Sequence, residues 1–142
     1  MGLGAAISNS REVSDSKRAA VAEKIARDVV DSDPAILGML VLDLHEKGRV
    51  LAVARSASLP PERQVSPALV ERFAIAANVV WGAAETAAQV LGRREFIVGA
   101  FKEQLVLLVE LREYEMLLGF RLSRSSNAEH IFAGVASLLG IG

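Results

Sequence analysis

The chain has no cysteine, two histidines, one tryptophan and one tyrosine in 142 residues. Without cysteine, disulfides, thiolate nucleophiles and Cys-ligated metals are excluded. His45 and His130 have no second histidine or carboxylate at helical metal-ligand spacing except the adjacent Glu46 and Glu129, which would point elsewhere. Both read as surface or packing residues. No nucleophile elbow is present, and the glycine-containing start GLGAA follows no strand, so no catalytic set and no phosphate loop can be named. A dominant charge is missing too: 16 basic and 17 acidic residues leave a net charge of -1, which supplies no electrostatic footprint for nucleic acid. Long hydrophobic runs are absent. The longest, Ala35 to Leu44, is interrupted by Asp43 and falls well short of the ~20 residues of a membrane span, so no membrane insertion is expected. The N-terminus lacks a basic region followed by an apolar core, so the default location is cytoplasmic. No catalytic, cofactor or metal residue is expected, and the chain reads as a non-enzyme.

Apolar residues are abundant, at 51% of the chain. That is more than one small core needs, and it points to a surface that a second subunit covers. A length of 142 residues is a single domain by the usual prior. Residues 1–12 carry no hydrophobic period and read as a flexible tail, leaving a domain over 13–142.

The organising stretch is SPALVERFAIAANVVWGAAETAAQVLG, residues 66–92. Ser66 is a good N-cap, Pro67 suits the first helical position and Gly92 can close the helix, with Gly82 the only breaker between. At 100° per residue, Phe73, Ala77, Val80, Ala84, Ala87 and Leu91 form a stripe suited to a sheet. Glu71, Ile75, Asn78, Gly82, Glu85, Thr86 and Gln89 form the stripe that wants water. Val70, Ala74, Trp81 and Ala88 lie on one flank; Ala76, Val79, Ala83 and Val90 lie on the other. Roughly three quarters of the circumference is apolar, which fits either a central helix of a monomer flanked by loops or a neighbouring helix on a flank; Trp81 favours the second and is its leading contact, with packing in the chain's own core as the general alternative for that residue.

Around this helix the chain reads in order. Ser14 or Ser16 caps a first helix that reaches Val30, with Val21, Ile25 and Val29 inward. Asp33-Pro34 stops it. Residues 35–44 form a strand that is apolar on both faces, and residues 45–48 turn on Gly48. Residues 49–57 return, and Pro60-Pro61 fixes the loop 58–65. After Gly92, residues 95–101, 105–111 and 116–122 form a three-stranded meander. In it Glu110 and Arg112 face solvent or pair across strands, while Arg121 and Arg124 protect an edge. Arg93-Arg94-Glu95 reads as a solvated helix end that complements the dipole, with contact to an acidic partner as the sharper reading. Asn127 precedes a last helix over 128–139. The class is α+β: a five-stranded antiparallel sheet between the long helix on one face and two terminal helices on the other.

This pattern resembles the Roadblock family (dynein light-chain roadblock and its bacterial and archaeal relatives). The resemblance is carried by ILGMLVLD and GRVLAVARSA as an opening hairpin and AIAANVVWGAAETAAQVLG as a central helix. EFIVGAFKEQLVLLVEL with MLLGFRL matches the meander, and SNAEHIFAGVASLLG the last helix. It covers residues 14 to 140. The turn Glu46-Lys47-Gly48 departs from the family's usual Asp-Gly type. The resemblance implies a dimeric platform that pairs through the long helix and the third strand and binds, regulates or scaffolds a small Ras-like GTPase. On that basis Val70, Ala74, Trp81, Ala88, Phe96, Val98 and Phe101 are the expected dimer contacts. Glu71, Ile75, Asn78, Gly82, Glu85 and Gln89 are the expected partner-binding stripe. The alternative is a longin- or profilin-like binding or sensor domain acting as an adaptor. The N-terminal helix favours Roadblock, and one Trp with one Tyr argues against a profilin-type proline site.

Overall fold

The computed structural model describes residues 3–46, 49–57 and 66–141, with side chains from Ser16 onward. The turn at Lys47-Gly48 and the loop 58–65 lie outside the described residues. The elements are α1 (Leu3–Ser32), β1 (Ile36–Asp43), β2 (Val50–Arg55), α2 (Pro67–Ala83), α3 (Glu85–Leu91), β3 (Ile97–Ala100), β4 (Gln104–Leu111), β5 (Met116–Ser123) and α4 (Ala128–Leu139). A single turn of tighter helix, Arg112–Tyr114, joins β4 to β5.

The first helix departs from the expected boundaries. Its backbone is helical from Leu3, so the segment read as a tail extends α1, and Ser14 and Ser16 fall inside the helix. No proline precedes Pro34, and Ala5, Ala6, Arg11 and Glu12 are good helix formers, so nothing local stops the helix from extending backwards. At the other end Asp33 makes the turn: its Oδ1 accepts from Ala35 N at 2.9 Å and its carbonyl from Ile36 N at 3.1 Å.

The sheet order is β2-β1-β5-β4-β3, all neighbours antiparallel. β5 returns to pair with β1, Met39 opposite Phe120 and Val41 opposite Leu118. It therefore lies in the middle of the sheet, and Arg121 is not at an edge; Arg124 follows in the exposed turn. Both faces of the central strands are buried, which is why β1, β4 and β5 read as continuous apolar runs. Met39, Val41, Leu107, Val109, Leu118 and Phe120 pack with Ala22, Ala26 and Val29 of α1 and with Ile131 and Val135 of α4. Leu40, Leu42, Leu108 and Leu117 pack with Ala74, Ala77 and Trp81 of α2. The result is the expected three-layer α+β sandwich, with terminal helices on one face and the long helical segment on the other. No described helix is long and apolar enough to cross a membrane.

The helix ends follow the local chemistry. Asn127 Oδ1 accepts from His130 N at 3.1 Å, and Gly140 closes α4 at φ 70°. Asn127→Ala should lower the unfolding free energy by about 1 kcal/mol, read as a shift of the urea midpoint without a change in slope.

Candidate partner-binding surfaces

Ser66 caps α2 as expected, its Oγ accepting from Leu69 N at 3.4 Å, and Gly92 ends α3 at φ 101°. The long helix is nevertheless interrupted at Ala84. Ala84 N still reaches Val80 O at 3.2 Å and Ala88 N reaches Ala84 O at 3.1 Å, so α3 continues α2 across the break. The Trp81 carbonyl, which an unbroken helix offers to Glu85, accepts instead from the Arg94 guanidinium. Gly82, one residue on, lowers the cost of leaving helical geometry there.

The face that meets the sheet also differs from the wheel. Ala74, Ala77 and Trp81 are buried, Val70, Phe73 and Ala88 half-buried, and Val80, Ala87 and Leu91 exposed. The helix is rotated by roughly 60° from the expected phase, about two thirds of one residue's 100° step. Thus Val70, Ala74, Trp81 and Ala88, expected on an open flank, are turned toward the chain's own sheet. Trp81 sets this rotation. It is the bulkiest side chain of the helix, it is 3% exposed, and its Nε1 finds an acceptor in Glu110 Oε1 at 3.3 Å. Phe73 lies over Gly119, where an added Cβ would stand 3.3 Å from the ring. Glycine at the centre of β5 is what lets the helix come this close.

This rotation leaves a different apolar stripe in solvent. Leu69, Ala76, Val80, Ala83, Ala87 and Val90 follow one another at spacings of seven, four, three, four and three, with Phe73 half-buried among them. That is the seam by which one helix packs on another, and its three alanines allow a close approach. Val90 and Leu91 are 85% and 83% exposed. Among the described residues β3 forms one border of the sheet, paired on one side only, to β4. Of the residues expected there, Val98 and Phe101 are exposed. Phe96 instead turns toward the terminal helices, its ring 4.8 Å from that of Phe132. An edge of four residues without a charged side chain between Ile97 and Ala100 is poorly protected against strand pairing.

The polar stripe stays in solvent: Glu71, Ile75, Gly82, Glu85 and Gln89 are exposed and Asn78 is half-buried, its Nδ2 donating to Ala74 O at 3.0 Å. Asn78, Gly82 and Glu85 share a depression with Leu44, Trp81, Arg94, Glu110, Arg112 and Glu115. A second, larger groove of about 700 Å³ opens between the first turns of α2 and the sheet, over Gly38, Leu40, Val53, Val106 and Gly119. Arg121 lines it, with Nε donating to Gln104 Oε1 at 3.0 Å. Burial first, and the charge of Arg55 second, push the Arg121 guanidinium below its ordinary pKa.

Two charged clusters are not legible as pairs in the sequence. Asp43, 1% exposed, accepts from Arg18 Nη1 at 3.2 Å. The only signal is its place as the single acid in an apolar strand. Arg94, read as a solvated helix end, lies over the Trp81 ring at 4.7 Å. His45 Nε2 stands 2.7 Å from Glu115 Oε2, both well exposed, a surface pair of small energetic weight. Among the described residues no group of three or more His, Asp or Glu could hold a metal ion.

Similar folds are found among solved structures. A Roadblock/LC7 domain from Streptomyces avermitilis superposes with a TM-score of 0.65 at 15% identity, over 83% of this chain and 91% of that one. The gliding protein MglB from Thermus thermophilus gives 0.61 at 20% identity, over 87% and 81%. An MglB in a tetrameric arrangement gives 0.64 at 20% identity, over 87% and 85%. The chain has the roadblock fold. No protein-family model and no curated protein sequence matches it.

Proposed function

We propose that the chain is a non-enzymatic, cytoplasmic homodimeric platform that binds a Ras-like small GTPase and regulates or scaffolds it. The observation that carries the dimer is the exposed seam Leu69, Ala76, Val80, Ala83, Ala87 and Val90 on the same chain as an uncovered β3 edge. A two-fold pairing satisfies both at once: α2–α3 packs on its copy, and the two β3 edges join into one sheet. Val98 and Phe101 belong to this surface with the seam. The MglB found in a tetrameric arrangement gives a precedent for self-association on the same fold. The GTPase assignment rests on what roadblock platforms are expected to do, and the polar stripe Glu71, Ile75, Asn78, Gly82, Glu85 and Gln89 is the surface assigned to that partner.

The test has two stages. Light scattering should give a mass near twice 15.2 kDa. The immobilised dimer should then retain a Ras-like GTPase from the same genome in one nucleotide state over the other, and Glu85→Lys should weaken that capture without changing the mass. A monomer at all concentrations removes the platform, and a dimer that ignores every such GTPase removes the partner.

A further inference from the structure

The proposed self-association surface is made of two parts that belong to different elements. The seam is on α2 and α3. The open edge is on β3, which follows only after the connection 92–96. A second copy can engage both only if their relative position is held, because disorder between two half-surfaces must be removed on association.

Trp81 sits where these parts meet. It neighbours Val80 of the seam and is buried on the other side of the helix. Its indole N–H is held by Glu110 of β4, whose other oxygen is 3.2 Å from Arg112 Nε. β4 is the strand to which β3 is laddered, Ile97 opposite Leu108 and Ala100 opposite Leu105. Arg94 closes the loop from the connection itself. Its guanidinium lies 4.7 Å from the ring centroid, and its Nη1 donates to the Trp81 carbonyl. One half-buried side chain therefore stacks on the helix residue that faces the sheet and also holds that residue's backbone, three positions before β3 begins.

We propose that Arg94 is a positioning residue for self-association: by clamping the α3–β3 connection onto Trp81 it sets the β3 edge against the helical seam. The inference rests on the dimer reading. It requires the guanidinium in particular, since Lys keeps the charge and N–H donors but has no plane to stack on the ring while donating to the carbonyl. A residue that merely complements the helix dipole would tolerate Lys.

The experiment is sedimentation equilibrium on the full chain as wild type, Arg94→Gln, Arg94→Lys and Arg93→Gln, with tryptophan emission and thermal midpoint recorded on each. Because Trp81 is the only tryptophan, emission reports the clamp directly. Arg94→Gln should raise the dimer dissociation constant roughly tenfold or more, the loss of one charge-assisted hydrogen bond and its stacking, and should shift the emission. Arg94→Lys should weaken the dimer by an intermediate factor, and it carries the test if the Gln variant does not fold. Arg93→Gln, at an exposed position, should change neither. A shifted emission with an unchanged dissociation constant in both Arg94 variants overturns the positioning role and leaves the dimer standing. A wild type that is monomeric throughout overturns the dimer reading and this inference with it.

Discussion

Arg18→Ala should lower the unfolding free energy by about 3 kcal/mol, the low end of the range for removing one partner of a buried ion pair. The Asp43 carboxylate lies at the end of β1 with its side chain 2% exposed, where it accepts from Arg18 Nη1 at 3.2 Å and from His45 N at 2.9 Å. Among the described residues the nearest other cation, Arg49, stands 3.9 Å away. Arg18 also donates from Nη2 to the carbonyls of Tyr114 at 2.9 Å and Glu115 at 3.3 Å, so one guanidinium ties α1 to the end of β1 and to the β4–β5 connection. Among the described residues, alanine leaves the buried carboxylate with the His45 backbone donor and Arg49 at the outer limit of ion-pair range. The Arg18 side chain is 21% exposed, so water reaches part of the vacated space, which is why the low end applies. Urea unfolding measures the loss. Lys24→Ala is the comparison: its 2.6 Å bridge to Asp28 is exposed on both sides and should be worth less than about 1 kcal/mol. If the two variants lose the same amount, the Arg18–Asp43 pair does not hold the layers together. The double change Arg18→Met with Asp43→Leu should recover most of the stability, since apolar packing replaces a buried pair at little net cost.

Val80→Glu and Trp81→Glu should have opposite consequences although they are adjacent. Val80 is 47% exposed on the seam, so a carboxylate there is solvated in the monomer and buried unpaired, facing its own copy, in the proposed dimer. The expected result is a folded chain of mass near 15.2 kDa, with the dissociation constant raised about a hundredfold or more and the thermal midpoint of the monomer nearly unchanged. Trp81 is 3% exposed and donates to Glu110. Glutamate there removes a large buried ring, at about 3–5 kcal/mol for the truncation alone, and sets a second carboxylate against the first. The expected result is loss of the cooperative unfolding transition by circular dichroism. A folded, monomeric Trp81→Glu beside a dimeric Val80→Glu would reverse the assignment of the helix faces.

The contrast between these two residues marks how far the sequence can be read. The period of 66–92 puts Trp81 and Ala74 on one stripe and Ala76 and Ala83 on another, and the structure keeps those groupings. Of the stripe expected to face the sheet, Phe73 and Ala77 do so and Val80, Ala87 and Leu91 do not, because a wheel contains relative phase and no absolute direction. Size and hydrogen bonding decide it: Trp81 buries more than Val80 and needs an acceptor, and Glu110 is a strand away. The same limit applies to Arg121, which reads as an edge residue because β5 comes last among the strands. Its return to the middle, against β1, is a long-range pairing that meander spacing does not encode. Arg94 and Asp43 are visible as residues, but their partners are 13 and 25 positions away in the chain.

By itself, the sequence determined what depends on neighbours in the chain: the stops and caps at Asp33, Ser66, Gly92 and Asn127, the apolar runs of the buried strands, and the order of elements that implies a three-layer α+β sandwich. These follow from backbone conformation and short-range hydrogen bonds, which act over a few residues. Only the tertiary structure decided the rotation of α2 on the sheet, the central place of β5, and the meeting of Arg18 with Asp43 and of Arg94 with Trp81. Each of these is set by which surfaces bury the most area with their polar groups satisfied, a choice made between segments far apart in the chain.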